Sequence, residues 1–215
     1  MQAMKCLRWV ILASMAALTG CARYPSTPVP PTAPARQLIV DLTVAGQINP
    51  QYYYFLAIDT DGDATDGPVP IVAGPDWGNG WGVISDSIDP PPDYVMCHQG
   101  VYQQIHDNAF VGPPYQASVS TDGMTIRLAL DLDAVSTTVT TLDLNLICTD
   151  TLSAPTDGLF KTYDALGDTG NDFITIPIDV SGIYSNASSA LTESEGDCED
   201  SDLDLIDWRV EVLLN

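Results

Sequence analysis

Positive charge is what this chain has least of: seven Lys and Arg stand against 29 Asp and Glu in 215 residues, a formal charge of −22. No acid precedes Leu38, and after it only Arg127, Lys161 and Arg209 oppose all 29, so residues 38–215 carry −26. A field of that sign repels phosphate backbones and anionic headgroups and draws in cations, which excludes nucleic acid as a partner. Long apolar runs are missing as well. The longest, Trp9 to Leu18, is about ten residues, half of what spans a bilayer. No C-x-x-C, H-E-x-x-H, G-x-S-x-G or phosphate loop occurs, and there are only two histidines, His98 and His106, eight residues apart. Zinc-finger, metalloprotease, serine-hydrolase and nucleotide-binding chemistries lose their usual carriers, and the chain is expected not to be an enzyme. Glutamate is scarce too, only Glu193, Glu195, Glu199 and Glu211, so the acidity is aspartate, a turn residue and a hard oxygen donor.

What is present begins with Lys5 and Arg8, the short apolar run, and the small residues Thr19 and Gly20 ahead of Cys21. That order is a secretory signal over residues 1–20. Leu18-Thr19-Gly20-Cys21 resembles the lipobox of bacterial lipoproteins, which implies cleavage before Cys21 and acylation of that cysteine, palmitate included. The expected location is therefore extracytoplasmic, with the chain held on a membrane by lipid. Ala22 is not the aspartate that retains lipoproteins at an inner membrane, so the resemblance points to the outer membrane or cell surface. Multiple acyl chains hold a protein stably where one is marginal. Residues 21–37, with Pro25, Pro28, Pro30, Pro31 and Pro34, read as an extended tether.

Residues 38–215 suit one domain. Alternation with period two recurs at Leu38–Val44, Met124–Leu132, Leu142–Leu146, Ile174–Val180 and Trp208–Val212, and the run Tyr52–Ile58 can be buried on both faces. Shorter strands are expected at Tyr94–Met96, Val101–Ile105 and Tyr115–Val119, with a short helix near Ala134–Thr137 or Ala187–Leu191. Many short strands punctuated by Gly and Pro predict an all-β, antiparallel, jelly-roll-like sandwich. Cys97 and Cys148, both near strand ends in an exported chain, are the expected disulfide, with Cys198 left over.

Asp59-Thr60-Asp61-Gly62-Asp63-Ala64-Thr65-Asp66-Gly67 follows directly on a strand. Asp59, Asp61, Asp63 and Asp66 alternate as ligands of a small calcium loop would, although Ala64 and Pro70 depart from the EF-hand pattern. The same residues also suit a hairpin turn built on Asx hydrogen bonds. Two more acidic stretches, 167–172 and 193–207, follow; the latter has eight acids in fifteen residues and is expected as a solvated loop, with Asp204 and Asp207 held by the last strand. Trp77 and Trp81 sit on a Gly-rich loop, where they can stack on a ligand or plug the end of the sandwich.

Tyr54, Phe55, Asp59, Asp61, Gly67, Gly170, Asp172, Phe173, Asp207 and Trp208 together resemble the short motifs of sandwich domains related to family 9 carbohydrate-binding modules and DOMON-like domains. The resemblance implies a calcium-stabilised sandwich and sugar binding. The expectation is a non-catalytic surface lipoprotein that binds a glycan, an envelope component or a partner protein. A carbohydrate-active hydrolase and a purely structural envelope role stand as alternatives.

Overall fold

The computed structural model describes residues 32–65, 67–68, 93–107, 109–152, 162–167 and 172–215. Cys21, Asp66, Trp77 and Trp81, with most of the tether, lie outside the described residues. Residues Ala33–Asn215 form one compact unit.

Its elements are β1 (Arg36–Val44), β2 (Tyr53–Asp59), β3 (Asp93–His98), β4 (Val101–His106), β5 (Ala109–Gly112), β6 (Gln116–Val119) and β7 (Thr125–Asp131). A four-residue helix α1 (Leu132–Val135) leads to β8 (Thr141–Thr149), β9 (Tyr163–Ala165), β10 (Ile174–Pro177), β11 (Gly182–Ser185) and β12 (Leu205–Leu214). Two antiparallel sheets result. One has the order β11-β12-β1-β7-β6, the other β10-β8-β2-β3-β4-β5, with β9 also pairing β8. β10 takes the first half of β8's free edge, at Thr141–Leu144, and β9 the second, at Ile147–Thr149. This is the all-β sandwich that the alternation predicts.

β1 starts at Arg36, two residues before the expected start of the domain at Leu38. β12 is ten residues long, reaching back to pair Leu214 with Arg36 and Leu213 with Gln37, and Asn215 N–H donates to the Ala35 carbonyl. Arg36 and Gln37 thus belong to the sheet, and Gln37 is buried. At the other limit, β10 runs to Pro177 on the sheet edge, and the Ile178 N–H still donates to the Thr140 carbonyl at 2.8 Å. Ile178 is still buried but Val180 is exposed.

Between the sheets lie Leu38, Val40 and Leu42 of β1, Ile126, Leu128 and Leu130 of β7, Trp208, Val210 and Val212 of β12, and Tyr54, Leu56 and Ile58 of β2. Each such side chain contributes roughly 1.5–3 kcal/mol on leaving water. β2 is buried on both faces, as its unbroken apolar run requires: Phe55 and Ala57 turn outward into a second cluster with Tyr94, Met96, Ile105 and Ile147. The Cys97–Cys148 disulfide is corrected by this order. Tyr54 of β2 pairs with Cys97 on one side and with Cys148 on the other. Two strand spacings put the cysteines roughly 10 Å apart, beyond the ~7 Å a disulfide can span. All three thiols are free.

Candidate functional site

The acidic loop after β2 is a staircase of turns. Asp59 Oδ1 accepts the N–H of Asp61 at 2.9 Å, Asp61 Oδ1 that of Asp63 at 2.6 Å, and Asp63 Oδ1 that of Thr65 at 3.1 Å and its hydroxyl at 2.7 Å. The two bonds from Thr65 hold the exposed Asp63 carboxyl below its ordinary range. These carboxylates serve their own backbone, the Asx-turn arrangement.

Carboxylates from distant parts of the chain converge where β9 meets the C-terminal segment. Asp164 of β9, Asp197 and Asp204 bring ligand atoms within 4.8 Å of one another. Asp164 accepts the N–H of Leu205 at 2.6 Å and of Ala165 at 2.8 Å, but its charged neighbours, Asp197 and Glu193, are both acids. Burial first, and those acids next, push its carboxyl up to about 7. Burial, then a carboxyl–carboxyl hydrogen bond to Asp204, raises Asp197. Asp204 is 2% exposed and accepts the N–H of Gly196 at 2.9 Å. Asp207, by contrast, points to solvent and accepts the N–H of Trp208.

The expectation that 193–207 is a solvated loop is therefore corrected. Glu193 is buried and accepts the Gly167 N–H at 2.7 Å, Tyr52 donates its hydroxyl to Asp200 at 2.7 Å, and Tyr54 donates to the Asp202 carbonyl at 2.9 Å. Backbone N–H groups of Ala45 and Gly46 donate to the backbone carbonyls of Asp204 and Ser201. Alternating carboxylates look solvated in a sequence, yet here those of Glu193, Asp200 and Asp202 accept from Gly167, Tyr52 and Gln47, and backbone carbonyls of the same segment accept from Tyr54, Ala45 and Gly46.

Both histidines are placed by neighbours. His98 stacks on Tyr53, ring centroids 3.9 Å apart, with Nδ1 3.1 Å from the Tyr52 carbonyl. His106 Nδ1 lies 2.9 Å from Oδ2 of the buried Asp93. Of the stretch 167–172, residues 168–171 lie outside the described residues. Gly67 and Phe173, both in the family resemblance, meet: a Cβ on Gly67 would collide with the Phe173 ring.

A cleft completes the candidates. Residues 178–181 join β10, an edge of one sheet, to β11, an edge of the other, so the two open edges share one side of the sandwich. Between them is a cavity of about 270 Å³. Phe173, Tyr184 and Trp208 supply aromatic surface, and Thr175, Ser185, Ser188 and Ser189 supply hydroxyls. None of the lining side chains among the described residues is charged, although residues 38–215 carry −26. Trp208 is 2% exposed, and its Nε1–H is buried with no acceptor among the described residues. Reading the D-W motif at the end of the chain marked Trp208, but pairing the two sheet edges required the fold.

No family model matches this chain, and neither a curated protein nor a solved structure matches it.

Proposed function

We propose that this chain is a lipid-anchored extracytoplasmic lipoprotein whose sandwich is a non-catalytic, calcium-stabilised binding domain, taking a glycan residue in the edge cleft. The cleft carries this reading. An uncharged hollow of about 270 Å³ with aromatic walls and a hydroxyl rim suits a ring that is apolar on its faces and hydroxylated at its edge. Its volume falls just under the ~300–1,000 Å³ of ordinary small-molecule sites, so one sugar unit of a longer glycan is the expected occupant. Trp77 and Trp81 belong to the same reading as further stacking surface. The calcium ion is assigned to Asp164, Asp197 and Asp204, where acids face acids and a hard dication relieves the repulsion.

The test is retention on a glycan array by the full chain and by Ala190→Trp. Ala190 lines the cleft and is exposed, so the indole fills the mouth without entering the core. Retention of a neutral glycan, lost in Ala190→Trp with an unchanged melting temperature, supports the reading. Retention that survives the substitution, or no glycan retained at all, refutes it.

A further inference from the structure

The short hairpin joining β4 to β5 holds a donor arrangement that the proposed function does not use. His106 pairs with Ala109 across a two-residue turn, so His106 ends one strand and Asp107 begins the turn. Asp107 takes a left-handed backbone, φ 48°. Asp93, 6% exposed on the neighbouring strand β3, fixes both residues. Its Oδ1 accepts the Asp107 N–H at 2.7 Å and its Oδ2 faces His106 Nδ1 at 2.9 Å, with the Thr60 hydroxyl donating to Oδ2 at 3.3 Å.

A carboxylate can only accept, so the imidazole hydrogen sits on Nδ1 and, in the neutral ring, Nε2 presents a lone pair. That lone pair faces another acceptor: Asp107 Oδ2 stands 3.6 Å from Nε2. The separation is too long for a hydrogen bond. It is close to what one metal ion imposes on two ligands. Donors each about 2.0–2.1 Å from a tetrahedral zinc ion stand roughly 3.4 Å apart. A ligating histidine whose other ring nitrogen is held by a buried carboxylate is also the usual support of such an ion.

We propose that His106 Nε2 and Asp107 Oδ2 form a surface site for a divalent transition-metal ion of the zinc class, with Asp93 positioning both donors and water completing the coordination. A mixed nitrogen and oxygen pair suits zinc and its neighbours rather than calcium, which takes oxygen alone. The site is distinct from the carboxylate group at Asp164, Asp197 and Asp204, and it stands whether or not that group binds calcium.

Titration of the full chain with zinc chloride in excess calcium tests the proposal. The expected result is one saturable zinc per chain, with the His106 ring-nitrogen signal shifting on binding. His106→Gln keeps a donor for Asp93 and should weaken zinc at least about ten-fold, and Asp107→Asn, a residue at ease in the left-handed region, should weaken it as well. His98→Gln, at the only other histidine, should leave it unchanged. Both substitutions keep the buried Asp93 in place, so the hairpin retains its internal support while the donors are changed one at a time. Zinc binding that persists in His106→Gln, displacement of zinc by calcium at equal concentration, or the absence of saturable binding overturns the proposal.

Discussion

Asp164 lets the metal-free domain be tested through pH. Its carboxyl is pushed from 3.8 up to about 7, chiefly by burial. Below the ordinary carboxylate range, folded and unfolded chains both hold the proton and nothing is lost. Between that range and about 7 the unfolded chain ionises while the folded chain keeps its proton, so stability falls as pH rises. Above about 7 the full cost is present. At about 1.4 kcal/mol per pH unit over about three units, the cost is on the order of 4 kcal/mol. For a domain of this size that is a fall in melting temperature on the order of 10 °C. The assay is thermal denaturation in chelator between pH 4 and 8, comparing the natural chain with Asp164→Asn. The amide supplies one acceptor where the carboxylate served both Leu205 and Ala165, so the variant is less stable at every pH by about 1–3 kcal/mol. That is an offset; the slope belongs to the ionisation. Acids away from this group cancel between the two proteins, so the difference between the curves reports Asp164 together with its electrostatic effect on Asp197 and Glu193. Calcium bound only by the folded state should lift the natural chain by about 2.7 kcal/mol at a hundred times its dissociation constant, and leave Asp164→Asn nearly unmoved. Parallel pH profiles, or an equal calcium response in both proteins, would refute the assignment.

Two further expectations concern the frame around this site. Tyr54→Phe removes a buried hydroxyl that accepts from Asn49 N–H at 2.8 Å and donates to the Asp202 carbonyl, so it should cost about 1–3 kcal/mol in denaturant titration, and a neutral result would show that the C-terminal segment is not held there. Burial raises the Cys97 and Cys198 thiols to about 11 and pushes Cys148 well above its ordinary value, so native alkylation near neutral pH should be slow and should begin at the half-buried Cys198; a Cys97–Cys148 linked peptide under non-reducing conditions would contradict the strand order.

How far the sequence speaks depends on the range of the interaction concerned. The alternation of Leu38 to Val44 and of Trp208 to Val212 marked β1 and β12 because period two is a property of a single strand. β5, β9 and β11 are three or four residues long, and their pairing is decided by the strand beside them, so no pattern announced them. The site divides the same way. Asp59, Asp61 and Asp63 are neighbours in sequence, so both their ligand-like alternation and their Asx hydrogen bonds to the local backbone were legible there. Asp164 lies 33 residues before Asp197, and the two meet only because β9 pairs the end of β8 near the C-terminal segment. His106 and Asp107 are adjacent, yet their significance rests on Asp93, brought alongside by the β3–β4 hairpin.

The preference for aspartate over glutamate follows from this local chemistry. Six described aspartates, Asp59, Asp61, Asp63, Asp122, Asp131 and Asp200, accept the N–H of the residue two positions on. A side chain with one methylene reaches that N–H; glutamate, one methylene longer, does so poorly. Other aspartates serve more distant backbone: Asp164 accepts from Leu205, Asp202 from Gln47 and Asp204 from Gly196. A surface adapted only for salt or solubility needs charge anywhere and would be served equally by glutamate. Here the aspartates sit where turns and strand ends leave N–H groups unpaired. The charge of −26 over residues 38–215 is then in part the by-product of how the sandwich closes its turns. The Asp164 group is one place where that accumulation exceeds what backbone donors balance, which is why the proposed cation is put there and why the Asp164 carboxyl is pushed up in the metal-free domain.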